Sequence, residues 1–113
     1  MAEAEFVQAG DAIDHTPVAD VAAGTVVVQG DLIGIAKLDI KADTLGALAV
    51  VGVFDVAKES GGGVTFSVGQ KAYWDDTNNL AVTTDGGGTN KYLGKAAVAA
   101  ADADSSVRIR LEQ

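Results

Sequence analysis

The chain contains one stretch, Ser105-Ser106-Val107-Arg108-Ile109-Arg110-Leu111, in which apolar and basic residues alternate without a break after the two serines. Successive side chains of a β-strand point to opposite faces, so Val107, Ile109 and Leu111 share a dry face while Arg108 and Arg110 share a wet one. A strand buried on one face and wet on the other does not fit a parallel sheet sandwiched between helices; it belongs to an antiparallel sheet. That commits the chain to a sheet whose second face packs on something the rest of the sequence must supply.

The rest supplies strands. Phe66–Thr84 reads as a β-hairpin, with Val68, Ala72 and Trp74 expected on one side, Lys71 and Tyr73 on the other, and Leu80, Val82 and Thr84 repeating the alternation. Asp75 to Asn79 forms the polar break, and Asp and Asn favour turns because they bond their own backbone and tolerate left-handed dihedrals. A type I turn with a bulge is expected there, and Trp74 is expected in the core beside a group that accepts its indole N–H. Glu5-Phe6-Val7-Gln8 and Asp11–Thr16 read as two short strands, Thr25–Val28 and Leu32–Leu38 as two more around Gln29-Gly30-Asp31, and Lys91–Val98 as another. Ala47–Ala57 is the most hydrophobic run; its continuous apolar character fits a strand covered on both faces or, by periodicity alone, a buried helix, and Gly52 with the β-branched flanks favours strand.

With 113 residues, Ala, Val and Gly abundant and a single Pro, the expectation is one all-β domain over residues 1–113, a small sandwich or barrel of mostly antiparallel strands, with residues 1–10 a candidate N-terminal arm. Two pairs of short segments echo one another: Val21-Ala22-Ala23-Gly24 with Phe66-Ser67-Val68-Gly69, and Leu32–Ala36 with Tyr92–Ala96. They suggest similar strand meanders in the two halves.

Chemistry is scarce. No cysteine is present, which rules out disulfides and thiolate metal sites, and His15 stands alone, too little for an imidazole metal site. Asp75 and Asp76 are adjacent, so on a strand they point apart and serve better as turn formers than as an acid–base pair. Ser60–Gly63 and Asp85–Gly88 lack the lysine and following helix that a phosphate-binding loop needs, and read as flexible loops. Catalytic, cofactor-binding and metal residues are therefore expected to be none. A net charge of −8 disfavours nucleic acid, and Arg108 with Arg110 is too small a basic group to reverse that. No run of about 18 apolar residues exists and the first residues are acidic, so neither a membrane span nor a secretory signal is expected.

Val68–Asp75, Gly30–Ala36, Gly52-Val53-Phe54, Leu93–Ala96 and Val107–Leu111 together resemble the tailed-phage capsid cement, or head decoration, family. The resemblance spans nearly the whole chain, and Tyr73-Trp74-Asp75 after Gly69 is its most specific part; Ala72 departs from it, standing where the family tends to a larger β-branched residue. It implies a jelly-roll-like or barrel-like β fold that binds the outside of the assembled head and holds neighbouring major capsid subunits together, a virion protein held in the host cytoplasm before assembly. It also implies a homo-oligomer, dimer or trimer, since cement proteins sit at local symmetry axes. Some members carry a RecA-like recombinase label, which the missing phosphate loop contradicts here. Candidate capsid or subunit contacts are Glu5, Phe6, Val7, Gln8 and Tyr73: the first four as an arm that adds to a neighbour's sheet edge or else completes this domain's own sheet, Tyr73 as an outward ring beside Lys71. From the residues alone, a small β-barrel binding module for a peptide or carbohydrate remains the alternative.

Overall fold

The computed structural model describes residues 3–113, and among these the secondary structure is almost entirely β. The strands are β1 (Ala12–His15), β2 (Val26–Gln29), β3 (Leu32–Ile35), β4 (Gly46–Ala49), β5 (Val51–Ala57), β6 (Lys71–Asp75), β7 (Leu80–Val82), β8 (Lys91–Ala96) and β9 (Ser106–Glu112). They form two antiparallel sheets, β1-β4-β3-β2 and β5-β9-β8-β6-β7. A parallel bridge between Lys58, just after β5, and Ala81 of β7 brings the two edges of the larger sheet together, so that it curls toward a barrel. The expected antiparallel all-β architecture is the one found.

Local chemistry fixes these elements. Gly30, at φ +61°, takes the first central position of the two-residue turn between β2 and β3, where a side chain would be strained. In the β6–β7 hairpin the Asp75 carboxylate accepts the backbone N–H groups of Thr77 and Asn78 at 3.0 and 3.2 Å, and Asn79 takes a left-handed φ of +57°. β9 has the predicted polarity: Val107, Ile109 and Leu111 are buried and both arginines are exposed. Gly94 of β8 answers a different demand, since a Cβ there would stand 2.0 Å from the Arg110 carbonyl oxygen. β8 and β9 approach as they do because that side chain is missing.

One core joins the two sheets. Ile33 and Ile35, flanked by Val26 and Val28, pack with Trp74, Leu93, Ile109 and Leu111 of the larger sheet. Trp74 is 6% exposed and its indole N–H donates to Asp76 Oδ1 at 3.0 Å. A smaller cluster of Ala36, Ile40 and Leu48 lies on the other face of the first sheet.

Four expectations change. The run Ala47–Ala57 is two strands in different sheets: the chain passes between them at buried Val50, whose N–H donates to the Asp11 carbonyl, and Val51 and Val53 emerge exposed on the outer face. In β7 the inward residue is Ala81, because the four-residue turn Asp76–Asn79 sets Ala81 opposite Trp74, leaving Leu80 and Val82 on the side of Asp75 and Tyr73. Val68 is exposed rather than aligned with Ala72, because Gly69 at φ +82° turns the chain before β6 begins. Glu5–Gln8 forms no strand and lies outside both sheets.

The faint echo between the halves becomes a geometric repeat. β1-β4-β3-β2 corresponds strand for strand to β5-β9-β8-β6. Val21 and Ile40 exchange two backbone hydrogen bonds of 2.8 Å, and Phe66 and Ala100 exchange two of 3.0 Å. Gly24 N–H donates to Ala36 O at 2.6 Å as Gly69 N–H donates to Ala96 O at 2.7 Å, and Ala36 N–H donates to Thr25 O as Ala96 N–H donates to Gln70 O. Val26 faces Ile35 and Val27 faces Gly34, just as Lys71 faces Lys95 and Ala72 faces Gly94. The second half differs by an insertion that carries β7.

Candidate interaction face

Because β5, β9, β8 and β6 alternate, their inward residues fill the barrel and the others stand on one continuous outer face. The register lines these up in rows: Val53 beside Arg110, Arg110 beside Lys95, and Lys95 beside Lys71. Three cations thus stand side by side across three strands. Like charges placed directly opposite in a sheet destabilise it, and within the fold one carboxylate, Glu112, lies against two of the three cations. With Arg108 the row gathers half of the eight basic residues of an acidic chain onto one face.

Two carboxylates organise the face. Asp55 of β5 accepts two hydrogen bonds from Arg108, at 2.9 and 3.2 Å, and the Arg108 hydrogen bond holds the Asp55 carboxyl below its ordinary range while raising that of Arg108. Both groups are well exposed, so the pair orients Arg108 more than it stabilises the fold. Glu112 accepts the Tyr92 phenol at 2.6 Å and Arg110 Nη1 at 2.9 Å, with Lys95 Nζ 3.7 Å away. The Tyr92 hydrogen bond is the main reason its carboxyl is held low. Burial, followed by the Glu112 hydrogen bond, pushes the Tyr92 phenol up to about 12, so it stays a neutral donor.

Tyr73 stands on this face. It pairs across the ladder with Tyr92, the rings meeting edge to face with centroids 5.9 Å apart. Such an arrangement fixes ring orientation without filling a core, which leaves part of both rings available at the surface. Val51 and Val53 form an exposed apolar margin along β5, with Val53 57% exposed.

The remaining candidates lie elsewhere. Phe6 and Val7 are 76% and 87% exposed, and Gln8 Nε2 donates to the Ala12 carbonyl at 3.2 Å. The structure therefore does not bring the arm Glu5–Gln8 onto its own core, nor onto the sheet carrying Tyr73. Asp75 is engaged in its turn, and Asp76 Oδ1 accepts the Trp74 indole N–H. Among the described residues no group of three His, Cys, Asp or Glu side chains is placed to hold a metal ion, and no helix is long and apolar enough to cross a membrane.

Sequence reasoning passed over two features. The cation row requires the β8–β9 and β6–β8 registers, which no local pattern reveals. Lys58 is 3% exposed and its ammonium donates to the backbone carbonyls of Glu59, Asp102 and Asp104 at 2.7, 3.3 and 2.7 Å, tying two loops together. A lysine ending an apolar run before glycines looks like a surface residue until the second loop is seen.

A family profile described as phage cement protein matches residues 7–111. Neither the curated proteins nor the solved structures contain a match. The profile covers nearly the whole chain, and the chain belongs to the phage cement protein family.

Proposed function

We propose that this cement protein binds the outer surface of the assembled phage head and stabilises the contacts between major capsid subunits there. Membership of the family carries a structural role on the capsid. The observation that supports the finer reading is the row Lys71–Lys95–Arg110 beside Tyr73, Tyr92 and the exposed valines of β5. The row holds three cations against the single carboxylate of Glu112, an excess of positive charge that carboxylates of a partner would complement. Tyrosine and arginine are, with tryptophan, the residues enriched among those that anchor a protein interface.

In this reading Tyr73, with the cation row, faces the capsid, and Glu5, Phe6, Val7 and Gln8 reach the capsid or a neighbouring subunit. The protein works as a homo-oligomer, dimer or trimer, since several weak contacts around a symmetry axis gain avidity from their linkage. It carries no catalytic function, dwells in the host cytoplasm before assembly, and keeps its acidic surfaces directed away from the shell. Cosedimentation with phage heads tests the reading: Tyr73→Ala and Lys95→Glu are expected to weaken binding at least tenfold, with binding falling as salt is raised. Unchanged binding by both variants overturns the assignment of this face.

A further inference from the structure

The internal repeat shows what the first half lacks. In the second half the outer edge of β6 is covered by β7, which pairs antiparallel with β6 and reaches the segment after β5 through the Ala81–Lys58 bridge. In the first half the corresponding edge belongs to β2, which ends its sheet with no strand beyond it. Among the described residues, no backbone group of Val26–Gln29 bonds to anything but β3. The small core behind that edge is correspondingly open: Ile13 and Val27 are part-exposed, whereas Ala72, the counterpart of Val27, is fully buried. A side-chain hydrogen bond of 2.8 Å between Gln29 Nε2 and His15 Nδ1 joins β2 to β1, the other edge strand of this sheet.

We infer that this open β2 edge is a strand-acceptor site, and that its occupant is the Glu5–Gln8 arm of a second copy of the chain. The arm has the required chemistry, an extended segment with Phe6 and Val7 exposed and unpaired, of about the length of β7. Topology excludes its own molecule from the antiparallel pairing that β7 makes with β6. β1 runs antiparallel to β4, β4 to β3 and β3 to β2, so a strand laid antiparallel to β2, as β7 lies on β6, runs parallel to β1. A parallel connection needs a dozen or so residues, and Ala9, Gly10 and Asp11 are all that separate the arm from β1. A second copy has no such constraint. The contact is heterologous, arm to edge, so it closes a dimer by exchange or a trimer as a ring. It completes in the first half the sheet that β7 completes in the second.

The test is made in solution without phage heads, so its outcome is separate from that of the capsid reading. The chain has no cysteine, and single variants can be mixed: Val7→Cys with Gln29→Cys, and as a control Val7→Cys with Lys41→Cys, an exposed position on a distant loop. Oxidation is expected to link Val7→Cys to Gln29→Cys as the predominant mixed species and to leave the control pair unlinked. Light scattering is expected to give a dimer or trimer for the unaltered chain and a monomer for Phe6→Asp, with the far-ultraviolet circular dichroism of the folded chain kept in both. A monomeric unaltered chain, equal linking of both pairs, or an oligomer that survives Phe6→Asp overturns the inference.

Discussion

Replacing Trp74 by alanine should destabilise the fold by about 3–5 kcal/mol, the range for truncating a large aromatic in a packed core. The same size follows from the burial. An indole removes roughly 150–250 Å² from water, and at ~25 cal/mol/Å² that contributes about 4–6 kcal/mol. At 6% exposure nearly all of this is realised at Trp74, and the compactness of real unfolded chains lowers it by roughly 10–40%. The hydrogen bond to Asp76 adds little, about 1 kcal/mol, and Trp74→Phe isolates it together with the smaller ring. A domain of this length is stable by roughly 6–17 kcal/mol, so the alanine variant should fold but unfold at much lower urea. Urea unfolding followed by far-ultraviolet circular dichroism measures this without relying on the deleted chromophore. A loss below about 1 kcal/mol would refute the placement of Trp74 at the centre of the core.

Three further outcomes are expected. Gly94→Ala should cost roughly 3 kcal/mol or more, above the usual overpacking range, because its Cβ would meet the Arg110 carbonyl, a backbone group that cannot turn aside; an unchanged thermal midpoint would contradict the close approach of β8 and β9. Lys58→Ala should cost about 1–3 kcal/mol by leaving the Glu59 and Asp104 carbonyls without their ammonium donor, the Asp102 carbonyl keeping the Gly61 N–H, and hydrogen exchange should quicken in the loops around Glu59 and Asp102–Asp104; unchanged exchange there would show that Lys58 does not tie them. Spectrophotometric titration should find one phenol ionising near 12 that moves down in Glu112→Gln. Since the unfolded phenol ionises near 10 and the folded one near 12, the stability contributed by neutral Tyr92 is present below pH 10 and lost between 10 and 12; the absence of any phenol ionising well above 10 would contradict it.

Legibility from sequence followed the range of the interactions. β9 and the β6–β7 hairpin were readable because alternation and turn chemistry act between near neighbours, and the family was readable because its residues recur in order along the chain. The sheet to which each strand belongs was not. Ala47–Ala57 is continuously apolar in both the expected and the observed fold, and its division at Val50 depends on a hydrogen bond to Asp11, some forty residues away. The inward turn of Ala81 instead of Leu80 and Val82 depends on one residue of turn length, to which composition is indifferent. Tyr73 was placed outward by alternation, but the cation row beside it arises from pairing Lys71 with Lys95 and Lys95 with Arg110 across long sequence gaps. The repeat left a trace of a few glycines and small residues because its two cores have diverged in size, Val21 answering Phe66 and Ile40 answering Ala100.

The central claim, that the β5-β9-β8-β6 face grips the outside of the head, is tested most directly by imaging decorated phage heads by cryo-electron microscopy. Density is expected on the outer shell with Tyr73, Lys95 and Arg110 turned toward capsid carboxylates, and none on heads mixed with Lys95→Glu/Arg110→Glu. Density in which that face points to solvent, or full decoration by the double variant, would contradict it.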